Sequence, residues 1–71
     1  MQDTMTKEME FFIFLLEQYA FYKQTTANKI LSTLEELNLT NFIYEMYERY
    51  HTEDLQNAFD DIDKLIVEKS T

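Results

Sequence analysis

The chain contains neither glycine nor proline. Average usage would place about eight or nine of these residues in a chain of this length. Glycine supplies the left-handed backbone of most tight hairpin turns, so the usual two-residue hairpins are not available to this sequence. The absence predicts helices joined by short polar connections, and it excludes every glycine-rich phosphate-binding loop.

Length and composition limit the class of protein further. A chain of 71 residues is expected to form a single helical domain over residues 1–71. It has no cysteine, which excludes disulfides and thiolate metal sites. The apolar content of 45% is ordinary for a globular protein, so we expect a folded chain.

The charge is strongly acidic, with a net value of −8 from 14 acidic and 6 basic residues. Contacts to phosphate need Lys and Arg, so neither direct nucleic-acid binding nor an anionic membrane surface is expected. An acidic chain suits a basic partner protein. The apolar run at residues 11–16 is too short for a signal peptide or a membrane span, so we expect a cytoplasmic protein.

Four segments repeat apolar residues at helical spacing, and they cover residues 5–23, 26–37, 41–50 and 53–68. The predicted fold is therefore all-α, a compact bundle of four short helices. A threonine precedes each segment as the predicted N-cap: Thr4, Thr25 or Thr26, Thr40 and Thr52. Asn38 is the predicted end of the second helix, because Asn tolerates the left-handed conformation. The residues of the third segment that are expected to face inward are Phe42, Ile43, Met46, Tyr47 and Tyr50.

The first helix is apolar on nearly every side. Its main apolar stripe consists of Met5, Met9, Phe12, Ile13, Leu16, Tyr19 and Ala20. A second apolar side consists of Phe11, Phe14, Leu15, Phe21 and Tyr22. Helices of this kind are usually buried, which predicts a central first helix wrapped by the other three. The alternative is that Phe14, Leu15 and Phe21 stay exposed and dock a partner protein or a second copy of the chain.

Tyrosines and the only histidine supply further candidate contact residues. Tyr22 lies on the second side of the first helix, and Tyr44 and His51 share one flank of the third. Tyrosine suits both a core rim and an interface, because its ring is buried while its hydroxyl stays in water. Tyr44 and His51 therefore form either a small contact patch or part of the rim of the core.

The densest acidic cluster is "DDID" at residues 60–63. Calcium loops need a glycine turn and lie outside helices, so a metal site is not favoured here. Helical spacing predicts a solvated face that contains Asp60, Asp61 and Asp63, with Asp60 paired to Lys64. A basic partner would be drawn first to Asp60 and Asp61.

No catalytic group of residues can be assembled from the sequence. His51 is placed at a helix end, where a positive charge interacts favourably with the helix dipole. The two serines, Ser32 and Ser70, do not lie in a nucleophile elbow. We therefore predict no catalytic residue, no cofactor, no metal site and no enzymatic activity.

Three stretches resemble a known family: "KEMEFFIFLLEQYA", "NFIYEMYERYHTEDL" and "DDIDKLI". In this order they resemble a family of short bacterial proteins, the domain of unknown function numbered 3791. Its members often have a glycine after the His-Thr pair, where this chain has Glu53 and Asp54, so the last helix is expected to start sooner. Members are often encoded beside ADP-ribosyltransferase-like proteins, which implies an antitoxin-like or accessory role.

Two functions follow as hypotheses. The first is a small acidic, non-enzymatic protein-binding module that neutralises a neighbouring toxin-type enzyme by covering it. The alternative is an inhibitor of a host nuclease, encoded by a phage or mobile element, whose acidic side chains imitate phosphates. Salt distinguishes the two, because an apolar interface resists it and a charge-mimic interface weakens steeply.

Overall fold

A computed structural model describes residues 6–70, and about 80% of them are helical. Its five helices are α1 (Lys7–Tyr22), α2 (Ala27–Glu36), α3 (Thr40–Glu45), α4 (Tyr47–Tyr50) and α5 (Leu55–Ser70). Within residues 6–70 there is no strand, so the predicted all-α class is confirmed. None of the helices in that range is both long enough and apolar enough to span a membrane.

Helix α1 begins after Thr6, whose side chain accepts a 3.1 Å hydrogen bond from the amide of Met9. The predicted cap, Thr4, lies outside the described residues. The helix ends at Tyr22, and the chain reverses through Gln24, which has a φ of 60°. A glutamine in this left-handed region occupies a position that usually favours glycine.

Helix α2 follows the prediction closely. The Thr26 side chain caps it by accepting a 3.3 Å hydrogen bond from the amide of Lys29. Asn38 follows the helix with a φ of 59°, as expected for the residue that ends it. The amide of Leu39 then closes the turn with a 2.8 Å bond to the carbonyl of Leu34.

The predicted third helix is divided into α3 and α4. Met46 interrupts it with φ −83° and ψ 11°, outside the helical range, so the count is five helices rather than four. Thr40 is not the N-cap, because Leu39 takes that position without a capping side chain. The Thr40 hydroxyl is buried and has no hydrogen-bond partner among residues 6–70.

Helix α5 starts at Leu55, later than the predicted residue 53. Thr52 does not cap it, because its hydroxyl donates a 2.9 Å bond back to the carbonyl of Arg49. The expectation that Glu53 and Asp54 would start the helix sooner is therefore wrong.

The core is formed by all five helices and the turn before α3. Its buried members are Phe12, Leu15, Leu16, Tyr19, Ala20, Ile30, Leu34, Leu39, Ile43, Tyr50, Ala58, Phe59 and Ile62. Helix α1 contacts α2, α3 and α4 along its length, and the Tyr19 ring packs on Phe59 of α5 at 5.6 Å. Two residues of the predicted stripe, Met9 and Ile13, are exposed instead.

The prediction of an enclosed central first helix is not confirmed. Only one broad side of α1 is covered, and aromatic residues on its other side face solvent. Phe42 of α3 was also expected to face inward, but its side chain is 47% exposed. The neighbouring helices, of which α5 is as long as α1, pack against the same side of α1 and leave its other side exposed.

Candidate functional site

Exposed apolar side chains are concentrated on α1. Residues 6–70 expose seven large hydrophobic side chains, and five of them belong to this helix: Met9, Ile13, Phe14, Phe21 and Tyr22. Phe21 is 82% exposed and Phe14 is 45% exposed. Contiguous exposed apolar surface on a small soluble domain commonly marks an interaction site.

These side chains alternate with carboxylates in a regular way. Successive residues of a helix are about 100° apart, which places Met9 and Ile13 in one row and Phe14 and Phe21 in another. Glu10 and Glu17 lie in the strip between the two rows. We call this surface the α1 face, and it consists of Met9, Glu10, Ile13, Phe14, Glu17 and Phe21.

The two carboxylates of the α1 face form no ion pair within residues 6–70, although Lys7 lines the aromatic groove together with Glu10. Ion pairs of the described chain include those of Lys23 with Asp63 and of Arg49 with Glu53 and Asp61. Glu10 and Glu17 are both exposed, and neither takes part in them. The face therefore presents unneutralised negative charge between apolar side chains.

A shallow aromatic groove adjoins the α1 face and runs between α1 and α4. It is lined by Lys7, Glu10, Phe11, Phe14, Tyr47 and His51, and we call it the aromatic groove. The Phe11 ring centre lies 6.3 Å from that of Phe14, 5.7 Å from Tyr47 and 6.4 Å from His51. Glu10 and Phe14 belong to both surfaces, which are therefore continuous.

Two contacts orient the side chains of the α4 wall of the aromatic groove. The His51 ring stacks on Tyr47 with centroids 4.1 Å apart and planes 1° from parallel. Its Nδ1 lies 2.6 Å from the Tyr47 carbonyl oxygen. This contact and the stack together fix the orientation of the imidazole.

The structure separates the predicted contact residues of α1 into two groups. Phe14 and Phe21 are exposed as the docking hypothesis requires, whereas Leu15 is only 1% exposed and belongs to the core. Leu15 lies about 100° round the helix from Phe14, which turns it toward the packed side. Its assignment to a contact surface is wrong.

The predicted tyrosine positions have structural contacts. Tyr22 is 45% exposed, but one face of its ring stacks on Phe59 of α5 at 4.8 Å. Tyr44 is half-buried with its ring edge-on to Phe12 at 5.8 Å. Tyr44 does not line the aromatic groove, so the predicted patch of Tyr44 with His51 is not formed there.

The acidic cluster of α5 is not the uniformly solvated face that was predicted. Asp60 is exposed, and its carboxylate accepts a 3.0 Å hydrogen bond from Gln56 instead of pairing with Lys64. Asp61 and Asp63 are half-buried and accept hydrogen bonds from buried tyrosines. They hold α5 in place, because their donors belong to α1 and α4.

Each of these tyrosines has a perturbed pKa. Burial, together with the hydrogen bond to Asp63, raises the pKa of the Tyr19 phenol well above its ordinary range. Burial and the negative charge of Asp61 do the same to the pKa of Tyr50. Both phenols therefore stay protonated as donors at neutral pH, which is a structural role.

Sequence reasoning missed parts of this surface. Tyr47 was assigned to the inward face of a longer helix, but the break at Met46 turns it toward Phe11. Its spacing of four residues from His51 was a usable signal, since such pairs meet on one helical face. Glu10 and Glu17 were not predicted to belong to a contact surface.

In the described part of the chain, no group of three or more His, Asp or Glu side chains is arranged to hold a metal ion. The chemistry of the surface is therefore that of apolar and aromatic contact with interspersed carboxylates.

The geometry defines a small acidic helical protein with one exposed aromatic side. A family model described as "Protein of unknown function (DUF3791)" matches residues 10–69. The chain belongs to this family, and the match includes most of the α1 face and both walls of the aromatic groove. No curated protein and no solved structure matches the chain.

Proposed function

We propose that this chain is a small acidic, non-enzymatic protein-binding module, and that the α1 face and the adjoining aromatic groove form its contact surface. The observation that carries the proposal is the exposure of Phe14 and Phe21 on a helix whose opposite side already completes the core. Phe21 is largely exposed in the isolated chain and Phe14 about half exposed, so a partner would remove further apolar surface of both rings from water.

The magnitude of that burial favours binding. Removing apolar surface from water stabilises a complex by about 25 cal/mol per Å², and an aromatic side chain offers roughly 150–250 Å². Two phenylalanines that become largely buried can therefore act as the anchor residues of an interface. The rigid Tyr47–His51 stack extends this surface at little cost in side-chain entropy.

The family resemblance suggests the kind of partner. An antitoxin-like or accessory module would cover a neighbouring toxin-type enzyme and need no chemistry of its own. A bacterial cytoplasmic setting fits such a role. This part of the proposal rests on the resemblance, and the aromatic surface supports only the binding.

The alternative, an acidic mimic of nucleic acid, receives less support. Such a mimic needs free carboxylates in an exposed array. Asp61 and Asp63 of the densest acidic cluster are instead bonded to Tyr50 and Tyr19 and paired with cations of the same chain. They are not available to imitate phosphates.

Quantitative co-purification from cells of the source organism tests the proposed function. The tagged parent is compared with the double variant Phe14→Ser/Phe21→Ser and with Phe42→Ser, which changes an equally exposed phenylalanine of α3. We expect a protein that is retained by the parent and by Phe42→Ser and lost by the double variant. Retention of the same proteins by all three chains would contradict the proposal.

A further inference from the structure

We propose that the occupant of the α1 face is an amphipathic helix of a different protein, which carries two basic side chains about two turns apart between apolar ones. This inference rests on the proposed function and adds the chemistry of the partner. It follows from the position of Glu10 and Glu17 between the two exposed apolar rows.

Any partner that buries Phe14 and Phe21 also covers these carboxylates. Removing a carboxylate from water without pairing it with a cation strongly destabilises a complex. Within residues 6–70 neither carboxylate forms an ion pair, and Lys7, which lines the groove beside Glu10, is not paired with it. The partner must therefore bring the positive charge, and Arg suits this best because it forms two parallel hydrogen bonds with a carboxylate.

The spacing of the surface is that of a helical seam. Residues 10, 14, 17 and 21 alternate steps of four and three, the spacing of the contact positions in packed helix pairs. Glu10 and Glu17 are seven residues apart, which is roughly 10 Å along the helix. A partner helix would match this spacing with two basic residues seven positions apart and with apolar residues beside Phe14 and Phe21.

A second copy of the chain fits this surface poorly. An antiparallel pair of α1 helices centred between Ile13 and Phe14 would set Glu10 of one copy against Glu17 of the other. Like charges opposed in an interface cost affinity, and each copy carries a net charge of −8. Among the residues that line the aromatic groove, Lys7 is the one lysine or arginine, and the α1 face carries two carboxylates. Charge complementarity therefore favours a basic helix over a homodimer.

Two synthetic helical peptides test the inference by fluorescence anisotropy. Both have leucine at the seam positions; one has arginine at two sites seven residues apart, and its twin has glutamate there. We expect the arginine peptide to bind the parent at least about tenfold more tightly, a difference of 1.4 kcal/mol. Glu10→Gln/Glu17→Gln should remove most of that preference, and Glu35→Gln/Glu36→Gln on exposed positions of α2 should keep it.

Three results would overturn the inference: equal binding of the two peptides, an unchanged preference in Glu10→Gln/Glu17→Gln, or a parent that sediments as a dimer dissociated by Phe14→Ser/Phe21→Ser.

The proposed function is judged separately by the co-purified protein. If Phe14→Ser/Phe21→Ser loses that protein while Glu10→Gln/Glu17→Gln retains it, the α1 face binds a partner of different chemistry. If Phe14→Ser/Phe21→Ser retains it, the proposed function itself fails.

Discussion

The phenol of Tyr50 donates a 3.2 Å hydrogen bond to the carboxylate of Asp61 and so joins α4 to α5. Arg49 reaches the same carboxylate at 3.5 Å. A second junction of the same type joins α1 to α5, because Tyr19 donates to Asp63 and the Lys23 ammonium lies 3.2 Å from it. Asp61 and Asp63 therefore connect α5 to α4 and to α1.

The first junction can be tested by removing one oxygen. Tyr50→Phe leaves the half-buried Asp61 without its buried donor and should lower the free energy of unfolding by about 1–2 kcal/mol. Tyr44→Phe is the control and should change it by less than about 0.5 kcal/mol. Urea melts of these chains, of Asp61→Asn and of the Tyr50→Phe/Asp61→Asn pair give the coupling energy. Independent, additive effects of the two substitutions would contradict the junction.

Alkaline pH should destabilise the fold through the same tyrosines. The folded pKa values of Tyr19 and Tyr50 lie above the ordinary value near 10. Above about pH 10 the unfolded chain loses these protons while the folded chain keeps them, so the free energy of unfolding falls by about 1.4 kcal/mol per pH unit for each tyrosine. Below that pH this stabilisation is fully present.

Urea melts between pH 8 and 11 measure this dependence. Lysines also titrate in this range, so the control is Tyr19→Phe/Tyr50→Phe, which lacks both phenols. We expect the free energy of unfolding to fall clearly less steeply with pH in the control than in the parent. Identical slopes would show that the two phenols are not shifted as described.

Two adjacent residues of α1 test which side of the helix is packed. Leu15→Ala opens a cavity in the core and should cost about 2–5 kcal/mol. Phe14→Ala removes a partly exposed ring and should cost about 1 kcal/mol or less. Denaturant melts compare the two directly. A larger loss for Phe14→Ala than for Leu15→Ala would mean that the sides are reversed.

The two left-handed residues should respond differently to glycine. Gln24 pays the steric cost of positive φ, so Gln24→Gly should raise the free energy of unfolding by about 0.5–1 kcal/mol. Asn38 already tolerates this conformation, and Asn38→Gly should change stability by less. Equal gains at both sites, measured by thermal melts, would contradict this explanation.

The sequence predicted most of the helical layout. Apolar periodicity located α2 and α5, and the preference of Asn for left-handed backbone correctly predicted the turn at Asn38. Periodicity did not reveal the break at Met46, because the apolar pattern continues through it and no proline or glycine marks it. The turn at Gln24 was missed for a similar reason, since Gln has no intrinsic preference for positive φ.

The candidate surface was predicted only in part. Phe14 and Phe21 were identified because a helix apolar on every side must be covered by something. Leu15 was misassigned, because the sequence could not show how far round α1 the other helices would pack. The bonds of Asp61 and Asp63 join residues distant in the chain, which local spacing cannot reveal.

The central claim is that the α1 face contacts another protein. A photo-activated cross-linking amino acid placed at Phe21 tests it directly in cells of the source organism, with the same amino acid at Phe42, an exposed phenylalanine of α3, as the control. We expect a discrete cross-linked species from position 21 that contains this chain and a different protein. We expect no such species from position 42. The absence of any adduct specific to position 21, or an adduct with a second copy of the chain, would contradict it.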